Sequence, residues 1–153
     1  MPEISSRYGS VGESFIDNLL ICGGFNYPNY LQGCHYLDKS GNVTNSFNLT
    51  EKRSSAASVK ISDSKLWIVG GTSDIFDPSE ASNSTEFVDT ARFSVCRGPN
   101  LPFTIHSHCM IKFSETEIYI IGGWQNGKIS NKTWIVDPEN DFQITEGTLF
   151  TEC

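Results

Sequence analysis

The chain has 153 residues and a formal net charge of −7. Hydrophobic residues make up 38% and charged residues 19%, a composition that folds rather than stays disordered. The acidic balance speaks against nucleic acid and anionic membrane surfaces, which need clustered Lys and Arg, and no run approaches the ~18–20 apolar residues of a membrane-spanning helix.

Residues 1–7 do not read as a secretory leader. The first predicted element is an inner strand of small and apolar residues, Tyr8-Gly9-Ser10-Val11, directly after Arg7. A second strand, Leu19-Leu20-Ile21-Cys22, runs into Gly23-Gly24. The loop Phe25-Asn26-Tyr27-Pro28-Asn29-Tyr30 follows, and then an aromatic-centred strand, His35-Tyr36-Leu37-Asp38. Phe47 marks a fourth strand.

The same order then recurs. Arg53 precedes Ser54-Ser55-Ala56-Ala57-Ser58-Val59, and Leu66-Trp67-Ile68-Val69 ends in Gly70-Gly71. Thr85-Glu86-Phe87-Val88-Asp89 and Phe93 supply the third and fourth strands. In the third copy His106 takes the basic place before Ser107-His108-Cys109-Met110-Ile111. Ile118-Tyr119-Ile120-Ile121 ends in Gly122-Gly123, and Thr133-Trp134-Ile135-Val136-Asp137 and Phe142 complete the set. The paired glycines are spaced by 47 and 52 residues. A period near 50 residues marks a propeller blade or another repeat array. Runs that are apolar at consecutive positions suit strands buried on both faces. The closing Asp38, Asp89 and Asp137 suit turns, with Asp137-Pro138-Glu139-Asn140 a type I turn candidate.

This pattern resembles the kelch repeat family: a hydrophobic run, a double glycine, a spaced aromatic, and a basic residue near the next inner strand. The resemblance spans the chain in phase, through Arg7/Gly23-Gly24/Tyr36, Arg53/Gly70-Gly71/Phe87 and His106/Gly122-Gly123/Trp134. It implies an all-β fold, an incomplete kelch-type β-propeller of three four-stranded blades. The repeats are expected at about residues 1–50, 51–103 and 104–153. Closed propellers use roughly 4–8 blades, so the expected chain is a fragment of a longer propeller protein, or one of two copies closing a six-bladed ring.

Five cysteines are present. Cys22 and Cys109 read as buried thiols acting as small hydrophobes, Cys109 aligning by offset with Ser10 and Ala56. The alternative is an oxidising compartment, in which Cys22 and Cys34, on adjacent strands of one blade, form a bridge. Cys109 or Cys153 could then pair with a cysteine of another blade. Asn42, Asn48, Asn83 and Asn131 head four glycosylation sequons, of which about two are expected by chance. Together these favour a secreted or cell-surface parent over a cytoplasmic one.

Chemistry is sparse. His106 and His108 alternate along the inner strand and would face one way, but no third or fourth metal ligand accompanies them. No nucleophile elbow or phosphate loop occurs. The resemblance extends to copper oxidases similar to galactose oxidase, yet no Tyr/Cys/His set matches their site. The expectation is a non-catalytic protein-interaction module without cofactor or metal. Tyr27, Tyr30 and Trp124 in loops, with Arg53, Ser55, His106 and His108 on strands near the channel, are its candidate contact residues. Aromatics on rigidly held loops offer contact area at low entropic cost.

Overall fold

The structure, a computed structural model, describes residues 4–147. Met1, Thr148, Leu149 and Cys153 lie outside the described residues. The first unit contains β1 (Val11–Phe15), β2 (Asn18–Cys22), β3 (Phe25–Asn26), β4 (Asn29–Tyr30), β5 (Gly33–Asp38) and β6 (Val43–Asn48). The second contains β7 (Ala57–Ser62), β8 (Lys65–Val69), β9 (Thr85–Asp89) and β10 (Ser94–Arg97), with a 3-10 turn at Pro78–Glu80. The third contains β11 (Ile105–His106), β12 (Cys109–Lys112), β13 (Ile118–Ile121), β14 (Trp124–Gln125), β15 (Lys128–Ile129), β16 (Thr133–Asp137) and β17 (Gln143–Glu146).

Each unit is a four-stranded antiparallel sheet: β1-β2-β5-β6, β7-β8-β9-β10 and β12-β13-β16-β17. The chain meanders within each sheet. The connection from second to third strand carries a small hairpin, β3-β4 in the first unit and β14-β15 in the third, where β14 also pairs with β11. The expected turns are present. Asp38 accepts from the Ser40 and Asn42 amides, Asp89 from Ala91 and Arg92, and Asp137 from Glu139. Side-chain acceptors of this kind hold the chain reversal locally.

The sheets pack face to face through two apolar layers. Val11, Phe15, Leu20 and Cys22 of the first unit meet Leu66, Ile68 and Val88 of the second. Val59, Trp67 and Val69 on the other face of the second unit meet Met110, Ile118, Ile120 and Val136 of the third. Strand side chains alternate between faces, so β8 must be apolar at every position that faces either neighbour. Leu66, Trp67, Ile68 and Val69 are all fully buried.

The strand register corrects three alignments drawn from sequence. Tyr8, Ser54 and His106 make equivalent pairings, to Phe25, Thr72 and Trp124, each just after its double glycine. The basic slot is therefore occupied by Arg7, Arg53 and Ile105, and His106 stands one residue past it. Val11, Ala57 and Cys109 pair with Cys22, Val69 and Ile121, so Cys109 corresponds to Val11 and Ala57, not to Ser10 and Ala56. Finally, Tyr36 pairs with Leu20, Phe87 with Trp67, and Ile135 with Tyr119. The aromatic slot of the third unit holds Ile135, and Trp134 corresponds to His35 and Glu86. A slip of one residue moves a side chain to the opposite face of its sheet. Trp134 accordingly packs against Phe103, with ring centroids 4.6 Å apart, toward the second unit.

The fourth-strand aromatics also differ from expectation. Phe47 lies in β6, but Phe93 and Phe142 occupy the turns before β10 and β17 with positive φ of 51° and 55°. From there each reaches back to the preceding unit. Phe93 packs on Tyr36 and Phe47, and Phe142 on Trp67 and Phe87.

Candidate functional site

The basic slot is structural. Arg7 Nη1 donates to the carbonyls of Gly23 at 3.1 Å and Gly33 at 3.2 Å. Arg53 Nη1 donates in the same way to the carbonyls of Gly70 and Ser84. One guanidinium thus ties the first glycine of its own unit to the start of the third strand. Arg53 also pairs with Glu86, while Ser84 Oγ bridges to Glu51 at 2.7 Å and Glu51 meets Arg97 at 3.0 Å. Arg53 is only 2% exposed, which corrects its expectation as a partner-contacting residue: its charge is consumed inside the fold.

In the first unit the acceptor is an imidazole. His35 Nε2 lies 3.0 Å from Arg7 Nη2, and Nδ1 lies 3.0 Å from Ser46 Oγ. A guanidinium only donates, so Nε2 accepts and the proton sits on Nδ1. Burial, then the Arg7 charge, lowers the His35 pKa and keeps the ring neutral. In the third unit both polar groups are gone. Ile105 and Trp134 occupy the two positions and join the apolar layer.

The paired glycines do a second job between units. The Gly24 amide donates to the Arg53 carbonyl and the Gly71 amide to the Ile105 carbonyl, both at 2.8 Å. A Cβ at Gly23 would stand 2.5 Å from the Arg53 oxygen, and one at Gly70 would strike the Ile105 oxygen. Backbone of the next unit sits where any other residue would carry its side chain.

His106 and His108 do not share a continuous strand. Ser107 between them has φ of 55°, as do Ser55 at 55° and Gly9 at 66° in the equivalent places. This break interrupts the strand alternation on which the expectation that both rings face one way rests, and the two rings have different surroundings. His106 stacks on Trp124 with an interplanar angle of 3°. His108 is buried over Gly123 with neither ring nitrogen hydrogen-bonded. Burial first, and His106 second, push its pKa down to about 4. It is not available to a partner. Among the described residues no three His, Cys, Asp or Glu side chains are grouped to hold a metal.

Exposed aromatics gather instead on the loops that follow each double glycine. Tyr27 is 86% exposed, Phe76 84% and Trp124 40%, with Tyr8 at 54% and Ile129 at 78% beside them. Each of these loops joins the second strand of its sheet to the third, and each is held by contacts of its own. Tyr8, Tyr27 and Tyr30 surround Phe25, and the Tyr30 hydroxyl accepts from the Ile75 amide, joining the first loop to the second. Asn126 exchanges bonds with Thr104 to hold the third. Ser55 is half-buried near the unit-to-unit junction. Phe76 was not singled out from sequence, because its loop lacks the aromatic-turn pattern of the other two.

Asn42, Asn48 and Asn131 are exposed. Asn83 is partly buried and donates its side-chain amide to the Leu101 carbonyl at 3.1 Å. Cys22 and Cys34 are opposite each other in the β2–β5 ladder and form a disulfide.

Residues 113–141 match the family model described as the Kelch motif. That segment is similar to a kelch motif. It runs through β13, the Gly122-Gly123 pair, the β14–β15 hairpin and β16 of the third unit. The kelch motif thus covers the strand, double glycine and aromatic loop whose counterparts recur in the other two units. No curated protein matches the chain.

Proposed function

We propose that the three sheets are consecutive blades of a kelch-type propeller and that the chain is a non-catalytic protein-interaction module. The reading is carried by the solvent-facing aromatics Tyr27, Phe76 and Trp124, one on each of the loops that follow the three double glycines. Large rigid side chains on an ordered scaffold are the usual anchors of a recognition surface. His106, stacked under Trp124, would orient that ring.

The test is quantitative affinity capture with the wild-type chain, a Tyr27→Ala/Phe76→Ala/Trp124→Ala variant and an Ile16→Ser control. Ile16 is 97% exposed in the β1–β2 turn. A partner retained by wild type and control but lost by the triple variant supports the reading. Partners indifferent to all three would overturn it. A copper oxidase function is the competing enzyme class, and stoichiometric copper in purified protein would replace the module reading.

The Cys22–Cys34 disulfide favours a secreted or cell-surface setting, since such bonds persist in oxidising compartments. Mass analysis of the native protein with and without glycosidase tests this. Loss of mass at Asn42, Asn48 or Asn131 is the expected result, and unmodified, reduced protein would place it in the cytoplasm.

A further inference from the structure

The two junctions between units use the same ring positions, and the second junction lacks two of the rings. At the first, Phe15, Tyr36 and Phe47 of the first unit meet Phe93 from the turn before β10. At the second, Phe87 takes the place of Tyr36 and Phe142 that of Phe93. The other two rings have no counterpart. Glu13 and Val59 pair with Leu20 and Trp67, so the place of Phe15, two residues on, falls to Ile61. Phe47 pairs with Cys34, whose equivalent is Thr85, and there the second unit has Gly98, its amide bonded to the Thr85 carbonyl.

The second junction accordingly holds an open cavity of about 350 Å³. Small-molecule sites start at roughly 300 Å³. Its lining comes from the second unit and from Phe142 of the third, so both walls belong to one junction. Ile61, Phe87 and Phe142 supply the apolar part, with the Phe87 and Phe142 ring centroids 5.1 Å apart. Phe87 is held in place, stacked on Trp67 at 24° and lying so close to Gly98 that a Cβ there would stand 3.0 Å from its ring. The polar part is charged. Lys65 and Arg92 are exposed on the lining. Asp89 is committed to Arg92 at 3.2 Å and to the Ala91 and Arg92 amides, and the Lys65 ammonium pairs with no carboxylate among the described residues. The first unit has the neutral Asn18 where the second has Lys65.

We propose that this cavity binds a small aromatic acid, one ring carrying a short-chain carboxylate. The ring lies on Phe87 and Phe142 in the offset or edge contacts that aromatic pairs favour, making up for the rings that Ile61 and Gly98 do not provide. The carboxylate lies within reach of Lys65 and of the Arg92 donors that Asp89 leaves free, since a guanidinium has five. Two cations against one carboxylate make this lining positive on a chain of net charge −7, which selects an anion over a neutral ligand of the same shape. Cys96 stands opposite Phe87 in the β9–β10 ladder as a free, exposed thiol on the cavity wall, so its reactivity reports occupancy.

The test takes the 153-residue chain with phenylacetate as probe, read by calorimetry and by the rate at which iodoacetamide alkylates Cys96. Saturable one-to-one binding that slows alkylation of Cys96 and leaves that of Cys109 unchanged is the expected result. Phenethyl alcohol, the neutral analogue, should bind about fivefold more weakly, the upper range for an exposed ion pair. Lys65→Glu, at an exposed position that leaves the fold intact, should weaken phenylacetate binding by at least as much. Cys96→Phe, which puts a ring into the cavity, should abolish binding in a chain whose circular dichroism matches wild type. Absence of saturable binding, equal affinity for acid and alcohol, or undiminished affinity in Lys65→Glu would overturn the proposal. The Tyr27/Phe76/Trp124 variant should bind phenylacetate as wild type does, so failure here is distinct from failure of the recognition surface.

Discussion

Arg53 Nη2 lies 2.6 Å from Glu86 Oε1, with both side chains shut off from water. One repeat later the same two positions hold Ile105 and Trp134. The fold thus fills equivalent positions in two chemistries, an ion pair within the second unit and apolar residues within the third. A buried ion pair and a well-packed apolar pair are often close in stability, but half an ion pair is not.

Glu86→Ala should therefore cost about 3 kcal/mol, because it leaves the buried Arg53 charge with only the longer 3.5 Å pairing to the partly exposed Glu51. The double change Arg53→Ile/Glu86→Trp, which copies the third unit, should recover much of that loss. Urea unfolding of wild type, single and double variants measures both. A Glu86→Ala variant as stable as wild type would show that the pair is not structural.

Gly70 and Gly122 separate backbone strain from crowding. Both have positive φ, 62° and 64°. A Cβ on Gly70 meets the Ile105 backbone, whereas the nearest atom to one on Gly122 is the Ser130 oxygen at 3.5 Å. Each alanine should cost roughly 1–2 kcal/mol for the left-handed conformation. Gly70→Ala should lose about 1–3 kcal/mol more for overpacking against the next unit. Equal losses in thermal unfolding would mean that the close approach at Gly70 carries no weight.

Phe142 pins the third unit to the second through Trp67 and Phe87, at centroid distances of 4.8 and 5.1 Å. Phe142→Ala should destabilise by about 2–4 kcal/mol, the ordinary range for a large aromatic truncation less its partial exposure. Trp67 emission should shift to the red as its ring gains water. An unchanged spectrum would place the indole out of reach of that turn.

Stability should fall on acidification through His108. Its ring takes a proton near pH 6.5 when unfolded and only near pH 4 when folded. Between those values the unfolded state binds more protons, so stability drops as pH falls and is level with respect to this group above about pH 7. The full effect is about 3 kcal/mol. His35 and His106 are shifted in the same direction. His108→Ala, which installs the residue found at Ala56, should flatten the slope between pH 6.5 and 4. A variant with the wild-type slope would assign the acid sensitivity elsewhere.

His106 and Trp134 each stand one residue from the slot their chemistry suggests, because strand register and not residue type sets the slot. Counting back from the closing aspartates would have exposed one of them: Tyr36 and Phe87 stand two residues before Asp38 and Asp89, but Trp134 stands three before Asp137. Nothing local in the sequence signals that Phe93 and Phe142 will hold a positive φ in turns instead of lying in the fourth strands.

The sequence by itself determined the repeat, the four strands of each unit, the double-glycine exits and the burial of β8 on both faces. These follow from local rules: strand alternation, turn chemistry and the steric freedom of glycine. Tertiary structure alone decided the rest. It spent Arg7 and Arg53 on carbonyls within the fold, broke the His106–His108 strand at Ser107, and carried Phe93 and Phe142 across to the neighbouring sheet. Those outcomes depend on which backbone lies opposite in the adjacent unit, and a single strand does not encode its neighbour's register.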